Sequence, residues 1–78
     1  MKEVQYDELR RTLGKISSSI GRIKNKFLIE HVEVTEYQWD ILMGNQDFKK
    51  QAEIGNANIG GYKILRGERF KVHKKSAV

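Results

Sequence analysis

The sequence predicts an α+β fold for a single small domain over residues 1–78. Three observations predict it: apolar residues at helical spacing near the N-terminus, a paired helix-capping signal in the middle, and alternating apolar and basic residues near the C-terminus. In chain order we expect a long amphipathic helix over residues 1–27, then a short strand, a capped second helix and a loop over residues 28–58. A β-hairpin with a basic tail follows over residues 59–75. At this length a single core is barely sufficient for stability.

The first helix is predicted by a run of apolar residues spaced alternately three and four apart. The run begins at Tyr6 and continues through six residues that we also take as the candidate oligomer interface: Leu9, Leu13, Ile16, Ile20, Ile23 and Phe27. A stripe this narrow favours a coiled-coil seam, whereas a helix that packs on its own sheet usually has a wider apolar face. Gly14 could instead end a shorter helix and leave residues 15–24 extended, but the unbroken spacing favours the longer helix. We therefore expect self-association.

The middle of the chain carries the signals of a strand and then of a helix start. Residues 28–34 are rich in apolar and β-branched side chains, which predicts a short strand. Thr35, followed three residues later by Gln38, forms a capping-box pattern at the start of the second helix. Gly44 can end this helix, and residues 46–53 can form one or two further helical turns. Three apolar residues of this part are expected in the core: Trp39, Leu42 and Phe48.

The C-terminal hairpin is predicted from its alternating side chains and from Gly67. A three-residue loop over residues 65–67 puts Gly67 where a left-handed backbone is needed. A two-residue turn at Arg66 and Gly67 would instead mix apolar and charged residues on each face. The three-residue register separates an apolar face (Tyr62, Ile64, Phe70, Val72) from a basic face (Lys63, Arg69, Lys71). The apolar face is expected to complete the core.

The C-terminal segment also holds the whole net charge of the chain, which is +5. Residues 59–78 contain one acidic residue and six basic ones, and the basic ones are the candidate nucleic-acid-binding residues: Lys63, Arg66, Arg69, Lys71, Lys74 and Lys75. Basic residues on a two-stranded ribbon can contact phosphates, yet lysine on an exposed strand is also the ordinary protection against aggregation. A second basic cluster, without an acidic residue, spans residues 9–29 and is typical of a solvated helix exterior.

Composition narrows the classes of function. The chain has no cysteine, which excludes disulfides and thiolate zinc sites and fits a cytoplasmic location. His31 and His73 lack a nucleophile or a carboxylate at a catalytic motif spacing, so we assign no catalytic residue, no metal ligand and no cofactor. No apolar run is long enough for a membrane span, so no membrane partner is expected.

We therefore expect a small non-enzymatic regulatory or accessory protein, oligomeric, that docks on a protein partner. The alternative is a nucleic-acid-binding protein that uses the basic face of the C-terminal hairpin. An enzyme whose site forms only on assembly is the third and least favoured class.

Overall fold

The helices and strands follow the predicted α+β order. The computed structural model describes the backbone of residues 3–75 and the side chains of residues 6–75. The elements are helix α1 (Glu3–Gly21), a 3-10 turn (Lys26–Leu28), strand β1 (Ile29–Val34), helices α2 (Glu36–Leu42) and α3 (Gln46–Glu53), and strands β2 (Asn58–Ile59), β3 (Tyr62–Arg66) and β4 (Lys71–Lys74). The α+β class, with its long first helix, its capped second helix and its C-terminal strands, is confirmed.

The four strands within residues 3–75 form one mixed sheet in the order β2-β3-β1-β4. Strand β1 is parallel to β3, with Val32 beside Ile64, and antiparallel to β4, with Val32 beside Val72. Val32, Val34 and Ile64 are fully buried and belong to one core with buried residues of α1, α2 and α3. The helices therefore cover one face of the sheet. The side chains at alternate strand positions lie on the other face, which we call the open face.

Helix α1 is shorter than predicted. It passes through Gly14, as the longer alternative predicts, but it ends at Gly21 and not at residue 27. The Ile23 N–H then donates to the Ile20 carbonyl at 3.0 Å, a tight turn that returns Ile23 to the core. The three serines and the glycine of the last helical turns are weak helix formers, which explains the early end.

The apolar stripe of α1 packs on the chain's own sheet, contrary to the expected coiled-coil seam. Leu9, Ile16 and Ile20 are buried in the core, and Leu13 and Ile23 are half-buried against it. A side chain that is buried within one chain has no surface left for a second copy. The two ends of the stripe are exposed, Tyr6 by 55% and Phe27 by 88%. Self-association itself stays a prediction.

The hairpin of the C-terminal region joins β2 to β3, and not β3 to β4. Its turn is Gly60-Gly61, with φ angles of 60° and 86°, and it pairs Ile59 with Tyr62. Two successive left-handed residues form the kind of two-residue turn that matches the twist of the flanking strands. The predicted register around Gly67 is wrong, because β1 lies between β3 and β4 and pairs with both.

Helices α2 and α3 begin at capping residues. Thr35 Oγ1 accepts the Gln38 N–H at 3.2 Å and the Thr35 N–H donates to Gln38 Oε1 at 2.9 Å, so the predicted capping box is confirmed. Asn45 Oδ1 accepts the Phe48 N–H at 3.0 Å and so caps α3. The buried Phe48 ring meets Trp39 edge-on, with 5.2 Å between the ring centres. The caps thus set the two helices so that their aromatic residues meet at the core.

Candidate functional site

The six basic residues predicted to bind nucleic acid do not share one face. Lys63 and Lys71 lie on the open face, since their neighbours in the strands are buried on the other side. The Arg66 guanidinium lies on the helix-covered side, 5.1 Å from the centre of the Trp39 ring. Arg69 lies in the connection between β3 and β4. The predicted two-stranded ribbon with one basic face is therefore not formed.

The structure instead brings two separate basic segments together at one end of the sheet. Lys74 pairs with Ile29 in the ladder between β4 and β1, and the Lys75 N–H donates to the Leu28 carbonyl at 2.6 Å. The end of β4 therefore lies beside the turn that follows α1. Five exposed basic residues come from these two segments, and we call them the basic tip: Arg22, Lys24, Lys26, Lys74 and Lys75.

Acidic residues are absent from both segments of the basic tip. In the sequence none occurs over residues 9–29 or over residues 69–78. The next acidic residue along the chain is Glu30, whose Oε1 lies 3.0 Å from His31 Nδ1. Within the two segments the positive charge is thus not offset by an acidic side chain, and a surface of one sign attracts an anionic partner.

Phe27 is an exposed aromatic residue within the basic tip. It lies in the 3-10 turn between α1 and β1, where Asn25 Oδ1 accepts its N–H at 3.1 Å. The Asn25 carbonyl accepts the Leu28 N–H, also at 3.1 Å. The spacing of the apolar residues predicts Phe27 at the end of the helical stripe, whereas in the structure it lies in this turn. Two signals were available: Gly21 as a helix end and Asn25 as a cap.

A polar cluster occupies the open face of the sheet. The rings of His31 and His73 are stacked, with centres 4.3 Å apart and planes at 12°. His31 Nδ1 donates to Glu30 Oε1 at 3.0 Å, and His73 Nε2 donates to Glu33 Oε1 at 2.7 Å, because an ionised carboxylate can only accept. Their positions in the sequence predict two isolated histidines. The strand pairing that joins them, 42 positions apart in the chain, could not be seen in the spacing.

Glu33 also holds the connection between β3 and β4. Its Oε2 accepts the N–H of Glu68 at 2.7 Å and that of Arg69 at 3.2 Å. The hydrogen bond from His73, followed by that from the Arg69 backbone, lowers the pKa of Glu33 from 4.5 to about 2. A Cβ atom at Gly67 would overlap the Glu33 carboxylate. Gly67 is therefore needed for this close approach and not, as predicted, for a left-handed backbone.

A cleft with some apolar lining lies where α2 and α3 meet β3. Its volume is about 300 Å³, and its lining includes Trp39, Ala52, Leu65, Lys63 and Arg66; we call it the Trp39 cleft. The side chains of Leu65 and Lys63 alternate with the buried Ile64 along β3 and therefore lie on the open face, whereas Arg66 and Trp39 lie on the helix-covered side. The Trp39 ring and the Arg66 guanidinium, 5.1 Å from the ring centre, can receive an apolar side chain that is flanked by an acidic one.

Comparison with known proteins gives no relative from which a function could be transferred. No protein-family model matches the chain, and neither curated proteins nor solved structures give a significant match. Among the side chains that the structure describes, no group of three or more His, Asp or Glu is arranged to hold a metal ion. No helix within residues 3–75 has both the length and the apolar character needed to cross a membrane. The functional proposal therefore rests on the geometry of the basic tip.

Proposed function

We propose that this protein is a small, non-enzymatic nucleic-acid-binding protein whose contact surface is the basic tip. The observation that carries the proposal is the pairing of β4 with β1. That pairing sets Lys74 and Lys75 beside the turn that holds Lys24 and Lys26. A cluster of exposed cations binds a polyanion because each phosphate contact releases condensed counterions.

The charge of the remaining chain supports a directed contact. Strands β2 and β4 form the two edges of the sheet. Residues 35–58, which include α3 and β2, contain four acidic and two basic residues, so this segment has a net charge of −2, opposite in sign to the basic tip. A molecule with charge separated in this way orients its positive end toward a polyanion as the two approach.

Fluorescence anisotropy with a labelled oligonucleotide of about 15 nucleotides tests the proposal. Reversing one charge from each segment, with Lys24→Glu and Lys74→Glu together, should weaken binding about 25-fold or more at 0.1 M salt, since each lost contact to a single strand costs about fivefold there. Wild-type affinity should fall on the order of 100-fold between 50 and 200 mM salt if all five cations contact phosphates.

The matched control is Lys49→Glu with Lys50→Glu on α3, which makes the same change in net charge at exposed positions. This control should bind almost as the wild type does. Equal losses in the two double variants would show that only net charge matters and would remove the basic tip as the site. A wild-type protein that does not bind the oligonucleotide would remove the function.

A second candidate function, docking on a protein partner, is favoured by the Trp39 cleft. The Trp39 ring, with the Arg66 guanidinium 5.1 Å from its centre, suits an acidic peptide segment that carries apolar residues. Trp39 is the one tryptophan of the chain, so its fluorescence reports on the cleft directly. A peptide of alternating Leu and Glu should shift that fluorescence in the wild type but not in Arg66→Glu. An unchanged emission in the wild type would refute this candidate.

A further inference from the structure

Phe27 is the feature of the basic tip that phosphate binding does not explain. Its side chain is 88% exposed, the highest value among the large apolar residues that the structure describes as exposed. The neighbouring Leu28 is also exposed, so apolar surface and positive charge share one turn. Phosphate contacts need only cations, whereas an aromatic ring offers a flat apolar face.

The turn that carries Phe27 is held by several hydrogen bonds. Asn25 caps it, the Lys26 ammonium donates to the Ile23 carbonyl at 2.9 Å, and the Leu28 carbonyl accepts the Lys75 N–H. These bonds connect the turn to the end of α1 and to the end of β4. A ring on a fixed turn loses little backbone freedom when a ligand contacts it, and such preorganisation favours binding.

We infer that the basic tip binds unpaired nucleic acid, with the Phe27 ring stacked on an exposed base and the surrounding cations on the flanking phosphates; the inference rests on the proposed function. Base faces in a duplex are covered by the neighbouring base pairs, whereas the bases of a single strand can be splayed out onto an aromatic side chain. Stacking is tolerant of sequence because every base has a π-face. The partner is therefore single-stranded DNA or RNA, bound without strong sequence preference.

The experiment measures the affinity of wild type, Phe27→Ala and Phe27→Trp for two labelled probes, an oligothymidylate and a duplex of equal length. Phe27→Ala should weaken binding to the single strand about 5- to 150-fold, which corresponds to the loss of about 1–3 kcal/mol when a stacking aromatic residue is removed. Phe27→Trp, which keeps a ring, should retain the wild-type affinity. Binding to the duplex should be weaker and the same in all three proteins. Because Phe27 is exposed, the melting temperatures of Phe27→Ala and Phe27→Trp should match that of the wild type.

Three outcomes would overturn the inference, and they differ in what they leave standing. Equal affinity for both probes, with Phe27→Ala neutral, removes the stacking role and leaves the proposed function intact. Loss of binding in Phe27→Trp as well as in Phe27→Ala removes a role for ring stacking. No binding to either probe, together with Phe27-dependent binding to phosphatidylserine vesicles, would remove both proposals and identify the tip as a membrane contact.

Discussion

Truncation of Ile16 to alanine tests whether the stripe of α1 packs within one chain or between two. Ile16 is fully buried in the structure and belongs to the same core as Val32 and Ile64. Truncating a buried isoleucine costs about 2–5 kcal/mol, from lost transfer free energy and from the cavity that remains. A domain of this length has a total unfolding free energy of about 4–12 kcal/mol, so the variant loses a large part of it. The melting temperature should fall by at least about 8 °C.

The assay is thermal unfolding followed by circular dichroism at several protein concentrations. Tyr6→Ala and Phe27→Ala are the matched controls, because both residues belong to the same stripe but are exposed. Each should change the unfolding free energy by less than about 0.5 kcal/mol. A seam between two chains predicts otherwise: the melting temperature would rise with concentration, and the two controls would cost as much as Ile16→Ala. That result would refute the intrachain packing.

Three further predictions test the turns and the Glu33 network. Because the pKa of Glu33 is lowered from 4.5 to about 2 in the folded chain, its stabilisation is complete above about pH 4.5 and is lost as the pH falls toward 2. Urea unfolding between those pH values should therefore show a shallower pH dependence in Glu33→Gln. Gly67→Ala should displace the carboxylate and return the pKa of Glu33 toward 4.5 in an NMR titration; an unchanged pKa would contradict the close approach. Gly61→Ala, at φ 86°, should cost about 1–2 kcal/mol in urea unfolding, whereas Gly14→Ala in the exposed face of α1 should stabilise by about 0.5–1 kcal/mol.

Local signals in the sequence predict local structure well. The capping box of Thr35 and Gln38 is a contact between residues three apart, so the pattern alone is enough to predict it. The alternation that assigned Ile64 and Val72 to one apolar face also holds, since both lie beside Val32 in the core. Successive side chains of a strand point to opposite faces, and this alternation does not depend on which strand is the neighbour.

Strand order could not be predicted because it depends on a competition between distant segments. The predicted hairpin assumed that β3 and β4, which are near in sequence, pair with each other. In the structure both pair with β1, whose Val32 and Val34 are fully buried and which is an interior strand of the sheet. One local signal does mark the true turn: Gly60-Gly61 is a strong two-residue hairpin signal, and it lies between β2 and β3.

The basic tip, like the strand order, depends on pairing between distant segments of the chain. Both of its segments are visible in the sequence as runs of basic residues, but their meeting is a result of the β1–β4 ladder. Phe27 was assigned to the helix because its spacing continues the stripe, although the helix has already ended at Gly21. Spacing alone does not show where a helix stops, and so the exposed aromatic residue of the site was mistaken for part of a buried stripe.

The Glu33 network links the stability of the sheet to the proposed site. One carboxylate on the central strand accepts two N–H groups of the connection that crosses from β3 and a side-chain hydrogen bond from His73 of β4. These bonds fix where β4 starts and how it lies along β1. Lys74 and Lys75 reach the turn of Phe27 only because β4 lies in that register. Loosening of β4 would therefore separate the two halves of the basic tip before the core unfolds, because the core packing lies mainly with β1, β3 and the helices.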